Sequence, residues 1–467
     1  MSQARTRAIP YGWRILMIIW GGQLVSILGS GLSGFALGVW IFEQTGSATA
    51  FGTLTFFAAV PGILLSPLAG ALVDRWDRRW AMILGDSASA VATVVLLWLV
   101  WQDGLRMWHL YVLTGFSAIF TALQQPAFTA TVPLLVPKEQ LGRVAGLTQM
   151  AMAAPQILTP FLAGVLMVTI ELKGILVIDL VTFFFALFTL LSVRLPRPPR
   201  TRHGDEGRGS LFREAVYGWS YIRQRPGLFA MLMLFSVVNL GMGMVQVLFT
   251  PLVLNFGGPS ELGLVLSVAS IGYLGGSALM TAWGGPQRKI WGVFVAGLFQ
   301  SAALLLAILP PSTWLMIAIA SLFMIASPIV NGCSQAIWQA KVAPDVMGRV
   351  FAIRRVLAWS SLPVSYLVAG PLADFVFEPL MQPGGALAGT AGWVMGTGPG
   401  RGIALLFLVL GVLILAANAA AFCYPRLRRV ELELPDAMPD DDLEFDPWDP
   451  DGGDVTGTHH DAKLYPA

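Results

Sequence analysis

The chain has 467 residues, of which 55% are hydrophobic and 12% are charged, with a formal net charge of +2 and two cysteines. A soluble domain carries roughly twice that share of charged residues, which excludes an ordinary water-soluble globular protein. So small a net charge gives no reason to expect a nucleic-acid partner, and two cysteines do not make a disulfide framework or a metal cluster. We therefore expect no metal and no cofactor.

Apolar segments of about 20 residues follow one another along the chain, each bounded by charged residues or by Pro and Gly turns. We predict an all-α polytopic membrane protein with twelve transmembrane helices, embedded in a lipid bilayer. The predicted spans are residues 13–38, 48–72, 80–101, 108–131, 144–169, 173–194, 228–254, 261–284, 290–309, 313–337, 350–376 and 402–424.

Basic residues are divided very unevenly between the two sets of loops. All but three of the 29 Lys and Arg residues fall on one side of the predicted membrane, and the exceptions are Arg106, Lys173 and Arg401. Loops rich in Lys and Arg stay in the cytoplasm. We therefore predict an integral, multi-pass protein of the cell membrane with both termini in the cytoplasm.

An internal repeat divides the predicted spans into two parallel sets of six. Gly142-Arg143-Val144 recurs as Gly348-Arg349-Val350, and Ala163-Gly164 recurs as Ala369-Gly370 at the same offset. Parallel halves of this kind build transporters that open alternately to the two sides of a membrane. The predicted units are an N-terminal six-helix bundle at 1–194, a cytoplasmic linker at 195–227, a C-terminal six-helix bundle at 228–424 and a tail at 425–467.

The linker and the tail have compositions unlike those of the spans. The linker begins basic and rich in proline, and then places Phe212, Ala215, Trp219 and Ile222 on one face of a predicted amphipathic helix. The tail from Pro425 soon turns strongly acidic. Because it has so little apolar surface, we predict that the tail is disordered.

Five charged residues crowd into six positions between spans two and three, a density that requires a polar turn outside the hydrocarbon. The segment matches the signature G-x-L-x-D-R-x-G-R-[RK] at Gly70, Leu72, Asp74, Arg75, Arg78 and Arg79, with Asp77 in place of the second Gly. Over about residues 10–425 the chain therefore resembles the major facilitator superfamily. Within it the chain is most similar to the macrolide-efflux-type group, which includes siderophore exporters, by the segments around Arg143, around Asp179 and from Leu367 to Asp374.

The resemblance implies the major facilitator fold, a monomer and transport by alternating access around a central cavity. It also implies that Asp74 faces the positive amino-terminal end of span eleven and latches the halves together on the cytoplasmic side. We include the repeated Arg143 and Arg349 among these conformational residues. The simpler interpretation is that Arg75, Arg78 and Arg79 only hold the loop in the cytoplasm.

Two acids lie inside predicted spans, and we interpret Asp86 and Asp179 as candidates for proton coupling, since a carboxyl group within a membrane is a functional hypothesis by default. Each could equally be water-exposed or hydrogen-bonded between helices. Glu43 and Asp374 end their spans at the outer surface, where we expect solvated carboxylates. Span four lacks the arginine of drug–proton antiporters, and span five keeps only the small and proline residues of their motif.

Uncharged polar residues recur at helical spacing in four spans, and we predict that they line the substrate cavity. The alternative is that they form hydrogen bonds between helices without touching a ligand. Because the stripes carry no charge, the ligand should be amphipathic and mostly apolar. The residues are Gln23, Ser26 and Ser30 in span one, Gln149 and Gln156 in span five, Asn239 and Gln246 in span seven, and Asn331 and Gln335 in span ten.

These observations together predict a secondary transporter that exports hydrophobic or amphipathic small molecules, of the drug or macrolide class, by proton antiport. The alternatives are an exporter of siderophores or other secondary metabolites, and a non-transporting membrane protein on the same fold. An enzyme is disfavoured because the chain has no phosphate-binding loop and no His or Cys cluster within the predicted membrane.

Overall fold

The computed structural model describes residues 12–73, 77–135, 141–193, 219–342 and 344–434. Within these ranges the chain consists of helices and short loops, without a strand. The long helices, numbered here in chain order, are α1 Gly12–Thr45, α2 Ala48–Val73, α3 Arg78–Trp101, α4 Met107–Leu135, α5 Leu141–Thr169, α6 Glu171–Ser192, α7 Pro226–Leu254, α8 Pro259–Trp283, α9 Lys289–Leu305, α10 Thr313–Lys341, α11 Pro344–Pro371 and α12 Arg401–Cys423.

Ten helices of the described chain are long and apolar enough to cross a membrane, which confirms the all-α polytopic fold. They correspond to every predicted span except the fourth and the fifth. Helices α4 and α5 occupy those two places, and Pro155–Thr169 is a shorter apolar stretch within α5. The total of twelve spans therefore stays a prediction.

Helices α1–α6 pack on one another to form one half of the molecule, and α7–α12 form the other. Small residues let neighbouring helices come close, as is usual where the packing is not driven by water. On α1, for example, the side chains of Thr189 and Thr182 in α6 fill the positions that a Cβ on Gly22 and on Gly29 would take. Between the halves, α2 packs against α11 and α5 packs against α8.

The two ends of the bundle are named here by the chain segments that they carry. The terminal side holds Gly12 at the start of α1 and Leu434 at the end of the described chain. The far side holds the α1–α2 loop at Gly46 and the start of α12 at Gly400, which line a common cavity of about 360 Å³. Between α11 and α12, a π-helical turn at Leu372–Phe377 and short helices at Glu378–Met381 and Ala391–Met395 also lie at this side.

The chain remains ordered beyond the predicted end of the C-terminal bundle, so disorder from Pro425 is a wrong prediction for residues 425–434. Two short helices, Pro425–Arg428 and Val430–Glu433, bury the side chains of Leu427 and Val430. The ammonium group of Lys341 donates to the carbonyl oxygens of Glu431 and Leu434 at 2.7 and 2.6 Å. Residues 435–467 of the tail lie outside the described part of the chain.

The end of the predicted linker helix packs on the C-terminal half. Ile222 is fully buried, and the ring of Trp219 meets that of Phe229 edge-on at 5.9 Å. Both residues belong to the apolar face expected from the sequence. The preceding linker residues, including Phe212 and Ala215, lie outside the described ranges.

Candidate functional site

The contact between α5 and α8 is built around Pro160 of α5. Pro160 has no N–H group, so the carbonyl oxygen of Gln156 loses its partner within the helix. The hydroxyl of Ser270 in α8 donates to that oxygen at 2.7 Å, and it also lies 2.9 Å from the carbonyl oxygen of Leu266 in its own helix. One turn nearer the far side, Ser267 donates to the carbonyl oxygen of Ile157 at 2.8 Å. The proline at position 160 thus frees a carbonyl oxygen in one half, and a serine of the other half donates a hydrogen bond to it.

Glycines bring the same two helices into backbone contact closer to the far side. A Cβ on Gly164 of α5 would lie 2.7 Å from the carbonyl oxygen of Pro259. A Cβ on Gly263 of α8 would overlap the carbonyl oxygen of Pro160. Because only glycine fits at either position, the halves are closely packed here.

On the far side, Asp374 joins α11 to the start of α2. Its Oδ2 accepts from the Ser47 hydroxyl at 2.6 Å and from the Thr49 N–H group at 2.8 Å, and its Oδ1 accepts from the Ala48 N–H group at 3.0 Å. The expectation of a merely solvated carboxylate is therefore wrong for Asp374. Its three donors are local to the first turn of a helix in the other half, and nothing in the α11 sequence indicates them.

Asp86 lies in a polar cluster within the N-terminal half. Its Oδ2 accepts from Gln23 Nε2 of α1 at 3.0 Å, and its Oδ1 accepts from Gln124 Nε2 of α4 at 2.6 Å. The residue is 1% exposed. Both oxygens of the carboxylate are therefore hydrogen-bonded to amide groups, and Gln23 serves the cluster and not an open cavity.

Asp179 of α6 is also buried, with 2% of its surface exposed, but its surroundings are poorer in donors. The Thr93 hydroxyl of α3 donates to its Oδ2 at 3.2 Å. Its Oδ1 makes no hydrogen bond of good geometry in the described structure, although the Ser33 hydroxyl of α1 is close enough to stabilise the carboxylate. The ion pair that the described residues do form, Lys173–Asp103 at 3.9 Å, joins exposed side chains elsewhere.

The predicted cavity residues fall into three groups. Side chains that are exposed and so could face a ligand are Ser30, Gln156, Gln246 and Asn331. Side chains that are committed to other helices or buried are Gln23, Ser26, Asn239 and Gln335. The side chain of Gln149 lies outside the described part. Periodicity alone could not separate the first group from the second, since both recur on the same helices.

Hydrogen bonds of Gln246 and Asn239 link α7 to α11 in the C-terminal half. Gln246 of α7 is exposed, and its Oε1 accepts from the Tyr366 hydroxyl of α11 at 3.1 Å. Asn239, two turns earlier in α7, donates to the carbonyl oxygen of Ala358 at 3.1 Å. Polar side chains therefore tie α7 to α11, as interhelical hydrogen bonds do in other membrane bundles.

Arg354 in α11 was not among the predicted site residues. Its guanidinium donates to Gln335 Oε1 at 2.8 Å and to the Ser334 hydroxyl at 3.1 Å, both in α10. It also lies over the ring of Trp338, 5.2 Å from the centroid. No carboxylate pairs with it among the described residues. An arginine about one turn inside the predicted span eleven was the available signal.

The signature loop is partly described. Arg79 donates through Nε and Nη2 to the carbonyl oxygens of Leu190 and Leu191 at 2.9 and 2.8 Å, and so closes the end of α6. Asp77, the departure from the signature, accepts from the Arg79 N–H group and caps α3. Asp74 and Arg75 lie outside the described residues. The surroundings of Gly70 and the side chains of Leu72, Arg78, Arg143 and Arg349 are not described either. The cytoplasmic latch therefore stays a prediction.

Two bundles of apolar helices that pack against each other through α2 and α11 and through α5 and α8 have the architecture of a membrane transporter. The sequence pattern of the Major Facilitator Superfamily matches residues 19–365, and the chain belongs to that family.

The chain is similar to Macrolide efflux protein A of Streptococcus pyogenes, with 28% identity over 368 residues, 78% of this chain and 90% of that protein. It is also similar to the multidrug efflux pump Tap of Mycobacterium tuberculosis H37Rv, with 24% identity over 417 residues, 88% of this chain and 93% of that protein. A crystal structure of an inward-facing bacterial homologue of the lysosomal transporter Spinster has the same fold. It superimposes with a TM-score of 0.66 at 16% identity, over 90% of this chain and 97% of that one.

Proposed function

We propose that this transporter exports hydrophobic or amphipathic compounds of the drug or macrolide class, by alternating access and in exchange for protons. The observation that carries the proposal is the set of exposed, uncharged polar side chains on α1, α5, α7 and α10, namely Ser30, Gln156, Gln246 and Asn331. Such side chains can hydrogen-bond a ligand whose surface is largely apolar, and they lack the charges that select a strongly charged metabolite. The names of the macrolide and multidrug relatives support the same substrate class.

The membrane orientation follows from the distribution of charge. In the proposed arrangement the protein is a monomer in the cell membrane, its terminal side faces the cytoplasm and its far side faces out. The far side is where α2 meets α11 through Asp374 and α5 meets α8 through Gly164 and Gly263. The described conformation then corresponds to a cavity closed toward the outside.

Asp179 is the better placed of the two candidates to carry the proton. In the described structure its carboxylate is approached by two hydroxyl groups, those of Thr93 at 3.2 Å and of the nearby Ser33, so an ionised Asp179 is less fully compensated for its burial. Asp86, in contrast, receives an amide N–H at each oxygen and is satisfied as a carboxylate. We therefore assign Asp179 to proton exchange and Asp86 to holding α1, α3 and α4 together.

A second candidate function is export of siderophores or similar chelators, and Arg354 favours it. Its guanidinium lies within the bundle beside Gln335 and has no carboxylate partner in the described structure. A planar guanidinium suits the oxygen-rich, anionic groups of such compounds.

The test is efflux from drug-sensitive bacteria that express the protein, with ethidium, erythromycin and a catecholate siderophore as probes. Export of ethidium or erythromycin that collapses with a protonophore is expected, and Asp179→Asn should abolish it while Asp86→Asn leaves part of it. Asp103→Asn is the matched control, because Asp103 is an exposed acid on the far side.

Three outcomes count against parts of the proposal. Export that ignores both the protonophore and Asp179→Asn would remove proton exchange. Export of the siderophore alone, lost in Arg354→Gln, would replace the drug class with the second candidate. No export of any probe by a correctly inserted protein would contradict both substrate classes.

A further inference from the structure

Asp374 caps the amino-terminal end of α2, although it belongs to the other half of the molecule. Three donors converge on its carboxylate, the Ser47 hydroxyl and the N–H groups of Ala48 and Thr49. The first N–H groups of a helix have no partner within it, and they carry the positive end of the helix dipole. A carboxylate is the group that satisfies both needs, and here it does so only while the halves are closed on the far side.

The backbone around Asp374 is shaped for this approach. A Cβ on Gly370, one turn before Asp374, would lie 2.6 Å from the N–H nitrogen of Thr49, which leaves room for glycine only. On α2, a Cβ on Gly52 would lie 2.8 Å from the carbonyl oxygen of Tyr366. Asp374 itself lies in the π-helical turn Leu372–Phe377, a distortion that often marks functional positions in helices.

We propose that Asp374 is a positioning residue of the transport cycle, which caps the start of α2 while the cavity is closed on the far side. When the halves part there, Asp374 loses its three donors, so its carboxylate stabilises the far-side-closed state relative to the far-side-open state. This inference rests on alternating access, but not on the proposed substrate or on proton exchange.

The test measures opening of the far side directly, so it does not depend on transport of any probe. Spin labels are attached at Gln102→Cys, at the end of α3, and at Trp393→Cys, in the exposed loop before α12. The background carries Cys423→Ser and keeps Cys333, which is buried. Distances between the labels are measured by electron paramagnetic resonance on the full-length protein in lipid nanodiscs.

Asp374→Asn removes the charge and should raise the ratio of far-side-open to far-side-closed molecules by about tenfold or more, since bonds to a charged acceptor are the strong ones. Glu43→Gln is the matched control, because Glu43 is an exposed acid at the same rim whose side chain makes no hydrogen bond among the described residues. Glu43→Gln should leave the ratio of far-side-open to far-side-closed molecules unchanged.

Ser47→Ala provides a second, milder test, because it removes one of the three donors and leaves the carboxylate in place. It should shift the ratio in the same direction as Asp374→Asn by a smaller factor, even if Asp374→Asn fails to fold. Distance distributions that are identical in wild type, Asp374→Asn and Ser47→Ala would overturn this role of Asp374.

Discussion

The contact between α5 and α8 offers the sharpest test of how the two halves close. Gly263 of α8 lies so near α5 that a Cβ would overlap the carbonyl oxygen of Pro160 and lie 3.2 Å from the Cα of Gly164. These neighbours are backbone atoms, which cannot rotate away as the end of a side chain could. Gly263→Ala should therefore push the two helices apart toward the far side.

Two opposing effects set the size of the change. Alanine is favoured over glycine within a helix by about 1 kcal/mol, whereas an added methyl group in a packed interior costs about 1–3 kcal/mol. Gly275 is in the same helix and has open space at its Cβ position. Gly275→Ala thus gains the helix preference without the overlap, and we expect Gly263→Ala to be about 1–3 kcal/mol less stable than Gly275→Ala.

Thermal unfolding of the two purified variants, followed by tryptophan fluorescence, measures that difference. The spin-label pair at positions 102 and 393 then reports whether Gly263→Ala also lengthens the distance across the far side. Equal melting temperatures and equal distance distributions would refute the reasoning, because α5 and α8 would then not be in contact at Gly263 in the resting protein.

Three further substitutions test other contacts, each by thermal unfolding. Glu431→Gln should lower the free energy of unfolding by about 1–2 kcal/mol, since its carboxylate accepts from two N–H groups at the start of α9. Arg79→Lys should lower it by about 1 kcal/mol, because one ammonium group cannot reproduce the fork that reaches two carbonyl oxygens of α6. Ser270→Ala should lower it by about 0.5–1 kcal/mol, as the hydrogen bond to the other half is lost.

Each of these variants has a control of the same chemistry elsewhere on the surface. Glu433→Gln changes an exposed acid two residues after Glu431, and Arg106→Lys changes an exposed arginine in a far-side loop. Ser277→Ala removes a hydroxyl of α8 that bonds only within its own helix. The controls should stay within about 0.5 kcal/mol of wild type. A variant that melts together with its control would show that the contact contributes nothing measurable.

Hydropathy and charge were sufficient to predict the helical membrane fold, because both reflect the transfer of whole segments into lipid. They could not distinguish the roles of individual polar residues. Gln23 and Ser30 lie on one predicted face of α1, yet Gln23 bonds to Asp86, 63 residues away, while Ser30 is exposed. Which residues share a cluster depends on how separate helices pack, and a single-helix pattern carries no information about that.

The hydrogen-bond partners of Asp374 were even harder to predict from the sequence. As an acid at the end of an apolar run it has the sequence appearance of a solvated carboxylate, but its donors lie more than 320 residues earlier in the chain. Most of those donors are backbone N–H groups, which every sequence possesses and which therefore leave no trace in it. The start of the tail was missed for a related reason, since Leu427 and Val430 are too few to form a recognisable apolar pattern.

Two of the contacts between the halves differ in what they lose on separation. The Ser270 hydroxyl has interchangeable acceptors, the carbonyl oxygens of Gln156 in the other half at 2.7 Å and of Leu266 in its own helix at 2.9 Å, so it stays hydrogen-bonded when α5 moves away. Asp374 draws its three donors from the opposite half and must exchange them for water. Parting α2 from Asp374 therefore sacrifices hydrogen bonds that parting α5 from α8 at Ser270 does not.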